Sequence, residues 1–442
     1  MMLFGTQTIN SKGHLEIGGC DAVELAERFG TPLYVMDEAL LRQNCRDYLA
    51  SFRSRYPNTD IALAGKSFMT AAMCRIADQE GLGLDVVSAG ELYTALKAKF
   101  PMARVYFHSN FKSEAELRMA LESGIGRIVV DNLQELELLN SLAAAAGTKA
   151  DILLRLTPGI DPHTHRLISL GQVDTKFGLN IKDGSAMRGV KSALDCPGIA
   201  LRGIHCHIGS QILDTNAHAR AVRVMVEFAR EVLDETGLAV EEINTGGGLG
   251  IQYTEDQEAP TIDEFAEAVV GTFVTCLKEL DLHQPKLVQE PGRSIVGTAG
   301  TTLYRVGTIK NVPITESPGH RTYVMVDGGM SDNPRPMLYD AIYTALVANK
   351  ANADPSRIAT ISGKHCETDT LIQDARIADV EPGDLMAVQC TGAYNYSMAS
   401  NYNRFRRPAV VLVADGGADV IVRRENLDDL VQHDVIPERL GQ

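Results

Sequence analysis

Short apolar runs alternate with amphipathic stretches between residues 61 and 289. The amphipathic stretches have helical spacing, and the longest lie at 215–236 and 262–280. Ser88 with Glu91, and Ser113 with Glu116, have the spacing of capping boxes that begin two further helices. The apolar runs predict eight strands, at 61–64, 84–87, 105–108, 127–130, 151–156, 201–207, 242–245 and 286–289. Eight alternating βα units predict a (β/α)8 barrel, so the fold class is α/β.

The pattern changes after about residue 295, where regular helices no longer separate the apolar runs. Six short β-type runs follow, at 301–309, 323–326, 357–361, 385–389, 408–413 and 420–423. We therefore predict a barrel domain over 31–294 and a second, mainly β domain made of 1–30 and 295–442, with a short strand at 13–17. The stretch 157–200 interrupts the barrel pattern, and loops of that length are usually functional or carry small elements of their own.

Charge and cysteine usage narrow the functional classes. The 442 residues include 42 basic and 57 acidic side chains, a net charge of −15, which argues against general nucleic-acid binding. The eight cysteines form no C-x-x-C pair, and this usage is typical of free thiols in a reducing cytoplasm. The chain shows neither a signal-peptide pattern nor an 18-residue apolar run, so we expect a cytoplasmic protein without a membrane span.

Candidate chemistry collects at the predicted carboxyl ends of the barrel strands, where barrel enzymes keep their active sites. Lys66 follows the strand at 61–64, and a lysine in a partly desolvated barrel mouth can serve as an amine nucleophile. The alternative is a surface lysine at the start of a helix. The glycine-rich run 246–250 allows close backbone approach to an anion, and Arg293 is a candidate second phosphate contact. A plain βα turn is the alternative for the glycines.

A histidine pair supports a different hypothesis. His205 and His207 are two residues apart on a predicted strand and share a face, as metal ligands of a hydrolase can. Such a site needs further ligands, and only His108 is well placed, so we predict no metal. His163 and His165 lie in the irregular stretch and are interpreted as part of a polar loop.

Taken together, these segments resemble the pyridoxal-phosphate (PLP) decarboxylases built on the alanine-racemase-like barrel, also called fold type III. The resemblance covers nearly the whole chain, from residue 31 to residue 403. The motifs that carry it are Gly83-Leu84-Asp85-Val86-Val87-Ser88, Lys176-Phe177-Gly178-Leu179, His207-Ile208-Gly209-Ser210-Gln211, the glycine-rich run, Glu290-Pro291-Gly292-Arg293 and Cys366-Glu367. Within the family, they are most similar to the branch that decarboxylates meso-2,6-diaminopimelate.

The resemblance implies roles for individual residues. Lys66 would hold PLP as an aldimine, His207 would stack on the pyridine ring, and Glu290 would pair with the ring nitrogen. Cys366 would reprotonate the carbanion in the active site of a partner subunit, which implies a homodimer with shared active sites. Tyr394 would touch both cofactor and substrate. The remaining cofactor-binding residues would be Asp85, Ser210, Gly248, Pro291, Gly292 and Arg293.

Substrate choice follows from charge. In the family, a distal carboxylate of the substrate is bound by arginines that match Arg293 and Arg335, helped by Tyr339. A distal ammonium is bound by the acid that matches Glu367. Ornithine lacks that carboxylate, and burying an unpaired arginine would cost several kcal/mol. The resemblance therefore implies a lyase that makes L-lysine and CO2 from meso-diaminopimelate, the last step of lysine biosynthesis.

Two alternatives remain within this fold. Carboxynorspermidine also carries a distal carboxylate, so its decarboxylase is the rival enzyme. A PLP-binding relative without turnover is the other, although the retained Cys366 and Glu367 argue against it. The chain departs from the family beside these residues, with Lys364 where proline is common and Thr368-Asp369 where Ser-Gly is usual.

Overall fold

The structure is a computed structural model that describes residues 2–161, 174–314 and 319–441. The chain forms two compact units, one of 42–252 with 257–296 and one of 1–41, 253–256 and 297–442. The strands are β1 Thr8–Ile9, β2 Leu15–Ile17, β3 Cys20–Asp21, β4 Leu33–Asp37, β5 Thr59–Ala64, β6 Gly83–Val86, β7 Val105–Phe107, β8 Arg127–Val130, β9 Ala150–Thr157, β10 Leu179–Asn180, β11 Ile199–His205, β12 Glu242–Asn244, β13 Lys286–Gln289, β14 Gly300–Pro313, β15 His320–Val326, β16 Ala345–Val347, β17 Arg357–Ser362, β18 Thr370–Ile377, β19 Leu385–Val388, β20 Ala409–Ala414 and β21 Gly417–Val422.

The helices are α1 Ala22–Phe29, α2 Glu38–Arg55, α3 Ala71–Gln79, α4 Ala89–Lys97, α5 Glu114–Glu122, α6 Leu133–Ala145, α7 Ser185–Asp195, α8 Thr215–Thr236, α9 Ile262–Glu279, α10 Arg293–Val296, α11 Arg335–Tyr339 and α12 Leu427–Val431. Within the described ranges, no helix is long and apolar enough to cross a membrane.

The first unit is a closed parallel barrel. Strands β5, β6, β7, β8, β9, β11, β12 and β13 pair in that order, and β13 returns to β5. All eight strands coincide with predicted ones, and the α/β barrel class is confirmed. Side chains from five of the strands form a buried cluster, made of Ala62, Tyr106, Val129, Leu153 and Val288. The predicted irregular stretch contains α7 and β10, whereas His163 and His165 lie outside the described residues.

The two predicted capping boxes differ in the structure. Ser113 and Glu116 form a complete box at the start of α5, because each side chain accepts the other residue's backbone N–H. Ser88 caps α4 in the expected way. The Glu91 carboxylate instead accepts the N–H of Val87 at 2.7 Å, so it turns toward the end of β6.

The second unit is mainly β, as predicted. Its large sheet has the order β18-β17-β15-β14-β4-β20-β21, with β19 joining β14 and β16, and a small sheet contains β1, β2 and β3. The expected start of the barrel at residue 31 differs from the structure, since β4 pairs with β14 and β20 and residues 31–41 belong to this unit. All five residues of β4 are buried, so their pattern alone does not distinguish this sheet from a barrel.

Candidate active site

Lys66 lies at the carboxyl-end rim of the barrel. It occupies a short 3-10 turn, Gly65–Ser67, directly after β5. The neighbouring strand end approaches this turn closely, since Ala64 N donates to Pro291 O at 3.0 Å. A Cβ added to Gly292 would lie only 3.0 Å from Ser67 Cβ. The rim therefore brings the lysine turn and the turn after β13 together, as the sequence predicts.

Glu290 is the buried centre of a polar network at this rim. Its carboxylate accepts from His108 Nε2 at 2.9 Å, from His205 Nε2 at 3.1 Å and from Asn244 Nδ2 at 2.7 Å. Burial alone would raise the pKa of Glu290, but the two histidines hold it well below its usual range. Burial also lowers the pKa of His205 to about 4. The network therefore holds an ionised carboxylate in a dry setting.

Two further acids lie near this network. Asp85 Oδ1 is 3.7 Å from His108 Nε2, and no described residue donates a hydrogen bond to that oxygen. Burial raises the pKa of Asp85, and the charge of Glu290 acts in the same direction, while His108 and Lys66 oppose it. Burial raises the pKa of Glu91 to about 7. The charge of Lys66 lowers the pKa of both acids, so the two carboxyl groups and the lysine interact electrostatically at the rim.

The histidine and glycine motifs form the adjoining part of the rim. His207 Nδ1 accepts the Gly247 N–H at 3.4 Å, and burial, aided by the charge of Lys66, lowers the pKa of His207 well below its usual value. Gly248 has a φ of +128°, and a Cβ there would lie 2.6 Å from Gly209 O. Only glycine suits that backbone. Arg293 Nη2 donates to Ser210 Oγ at 3.1 Å beside this loop.

The predicted substrate residues of the second unit form a separate group. Arg335 is 5% exposed, and its Cζ lies 5.1 Å from the ring centre of Tyr339 and 5.3 Å from that of Tyr394. Among the described residues, Arg335 Nε has no hydrogen-bond partner and no carboxylate forms an ion pair with this guanidinium. A buried cation with aromatic neighbours and no acid is an anion-binding arrangement.

Cys366 and Glu367 lie in the loop between β17 and β18, where both are exposed. Glu367 Oε1 accepts a hydrogen bond from the Tyr402 hydroxyl. Of the unusual residues in this loop, Lys364 Nζ lies 4.5 Å from the Phe405 ring centre, and Asp369 is buried. Thr368 is exposed.

Sequence reasoning named His108 and His205 but missed their grouping around Glu290. The metal hypothesis paired His205 with His207, whereas the structure groups His205 with His108 and Glu290, with ligand atoms within 4.8 Å of one another. Asn244 was not singled out. A signal was available, because His108 follows β7 directly while His205 and Asn244 end β11 and β12. Polar side chains at these positions lie at the same end of a barrel.

Comparison with known proteins identifies the family. Residues 42–297 match the family described as the pyridoxal-binding domain of pyridoxal-dependent decarboxylases. The chain is 48% identical to the diaminopimelate decarboxylase of Bacillus subtilis over 442 residues, covering 100% of this chain and 99% of that one.

Solved structures give the same result. A diaminopimelate decarboxylase from M. jannaschii, in co-complex with L-lysine, is 38% identical with a TM-score of 0.92, covering 98% of this chain and 99% of that chain. The Helicobacter pylori enzyme complexed with L-lysine is 31% identical with a TM-score of 0.84, covering 93% and 98%. The chain therefore belongs to the diaminopimelate decarboxylase family of pyridoxal-dependent decarboxylases.

Proposed function

We propose that this protein is a PLP-dependent carboxy-lyase that converts meso-2,6-diaminopimelate to L-lysine and CO2. In the reaction, the carboxylate on the D-centre leaves as CO2 and a proton takes its place. The observation that carries the choice of substrate is Arg335, a buried guanidinium without an acid partner among the described residues. Such a charge is costly unless an anion joins it, and the distal carboxylate of diaminopimelate is such an anion.

The rim residues have the chemistry that PLP requires. Lys66 offers an amine, the glycines at 246–248 and the Ser210–Arg293 pair form a cradle for a phosphate, and Glu290 is an ionised carboxylate. A carboxylate has about four acceptor positions, and three donors occupy Glu290, so it has room for one more. When bound, PLP supplies an electron-accepting ring that stabilises the electron pair left when CO2 departs.

Each rim residue has a role that follows from its surroundings. Glu290 holds a proton at the ring nitrogen, because its depressed pKa keeps the carboxylate charged. His207 presents a neutral imidazole for stacking, since burial lowers its pKa. Lys66 would hold the cofactor through its side-chain amine. Asp85, close to His108, adds a second carboxyl to the same rim.

The remaining proposed roles concern proton delivery and the distal end of the substrate. The exposed Cys366 thiol donates a proton to the carbon that has lost its carboxylate, and Glu367 binds the distal ammonium. Arg335, with Tyr339 and Arg293, binds the distal carboxylate, and Tyr394 contacts both substrate and cofactor. We infer a homodimer in which Cys366 of the partner subunit completes each site. A cytoplasmic location accords with eight free cysteines.

Replacement of Lys66 tests this function. Wild-type protein with PLP is expected to release CO2 from meso-diaminopimelate and to retain the cofactor after borohydride reduction. Lys66→Ala removes the amine, so both properties should be lost. The control is Lys97→Ala, because Lys97 is an exposed lysine at the end of α4 and should be dispensable. Release of CO2 by the Lys66 variant at the wild-type rate would contradict the proposal.

A further inference from the structure

The loop that carries Cys366 and Glu367 has a buried residue on each side of its tip, His365 before it and Asp369 after it. Gly363 N donates to Asp369 O at 2.8 Å, which ties the two ends of the loop together between β17 and β18. The tip, 366–368, is exposed, while the His365 and Asp369 side chains that flank it are 0% and 1% exposed. A buried aspartate must accept hydrogen bonds to satisfy its carboxylate.

The Asp369 carboxylate does so with three hydrogen bonds. Oδ2 accepts from His365 Nδ1 at 2.6 Å and from His365 N at 3.0 Å, and Oδ1 accepts from Met330 N at 2.6 Å. Two glycines make room for this carboxylate, since a Cβ on Gly329 or Gly363 would lie 2.2 or 2.1 Å from Oδ2. The carboxylate thus joins the loop to the segment that carries Met330.

The His365 ring extends this connection to Glu367. It stacks on Tyr402 with ring centres 6.0 Å apart and an angle of 11°, and it meets Phe405 edge-on at 4.8 Å. The Tyr402 hydroxyl donates to Glu367. Cys366 and Glu367 are therefore held at two points. Asp369 fixes His365, which precedes Cys366, and Tyr402 binds the Glu367 carboxylate.

We propose that His365 and Asp369 are positioning residues that fix the exposed thiol of Cys366 and the carboxylate of Glu367 for the reaction. This inference rests on the proposed function, in which Cys366 delivers a proton. Proton delivery depends on placement to within about 1 Å, and errors of that size cost about 100-fold in rate. The hydrogen bonds of Asp369 supply that placement, while the thiol itself makes the chemical contact.

Asp369→Asn tests the proposal because it keeps the side-chain shape and removes the charge that holds His365. We expect kcat for meso-diaminopimelate to fall about 10- to 100-fold. We expect the bound-PLP spectrum to stay near wild type and the rate of Cys366 alkylation by iodoacetamide to change severalfold. Asp374→Asn is the matched control, because Asp374 is an exposed aspartate whose φ of +50° is close to the +44° of Asp369.

His365→Phe is the second variant, in case Asp369→Asn does not fold. It retains the stacking on Tyr402 but cannot form the hydrogen bond to Asp369, so the same loss of kcat is expected. His433→Phe, at an exposed histidine, is its control. Wild-type kcat and alkylation rates in both variants would overturn the inference. If wild-type protein releases no CO2, the proposed function fails, whereas the alkylation rates still decide whether the pair positions the tip.

Discussion

Replacement of Arg335 with methionine removes the guanidinium and keeps most of the side-chain length. Arg335 is buried against Tyr339 and Tyr394 and has no acid partner among the described residues. If it forms two charge-assisted hydrogen bonds to the distal carboxylate, each contributes roughly 1.5 to 2 kcal/mol. Their loss removes about 3 to 4 kcal/mol, which lowers kcat/KM for meso-diaminopimelate about 100- to 1,000-fold.

The assay compares two substrates that share the reacting D-centre. D-lysine is meso-diaminopimelate without its distal carboxylate, so the Arg335 variant should process D-lysine within about threefold of the wild-type rate. Tm should not fall, because the substitution removes a buried charge without an acid partner. Arg376→Met, on an exposed arginine in β18, is the control and should leave both rates unchanged. An equal loss of rate on both substrates would refute the assignment of Arg335 to the distal carboxylate.

Three other substitutions test separate parts of the account. Cys366→Ala should lower kcat about 100-fold without weakening PLP binding, measured by L-lysine formation and by absorbance titration. Gly248→Ala places a Cβ 2.6 Å from a carbonyl oxygen at a φ of +128° and should weaken PLP binding, whereas Gly271→Ala, with open space around it in α9, should not. Glu91 has its pKa raised from 4.5 to about 7, so the folded protein holds this proton more tightly and stability falls as pH rises between those values. Between about pH 5 and pH 7, Glu91→Gln should therefore lose about 2 kcal/mol less unfolding free energy than wild type, measured by urea denaturation, while the exposed Glu267→Gln should follow wild type.

The barrel was predictable because its signal is local. Each βα unit repeats an apolar run followed by an amphipathic stretch, and all eight predicted strands appear in the structure. The domain boundary was harder to place, because β4 pairs with partners more than 250 residues away, as in the pairing of Leu33 with Leu303. The hydrophobic pattern of a short, fully buried strand does not indicate which sheet it joins.

The candidate site likewise combines residues that local sequence patterns indicate with residues that only the folded chain brings together. Lys66 follows closely after β5, so strand-end reasoning singled it out as a candidate, whereas Glu290 entered through the family resemblance. The function of Glu91 as a helix-capping acid was a local inference, and it was wrong in part because the carboxylate bonds Val87 at the strand end. The pairing of His365 with Asp369 gave no signal, because it depends on the space left by Gly329 in a distant segment.

Release of CO2 by the PLP-reconstituted protein is the most direct test of the central claim. The protein is given meso-diaminopimelate, carboxynorspermidine, L-ornithine, L-arginine and L-lysine in parallel, and L-lysine formation is measured together with CO2. The account predicts release from meso-diaminopimelate alone, with one L-lysine formed for each CO2. Release mainly from one of the other substrates, or no release with PLP bound, would contradict it.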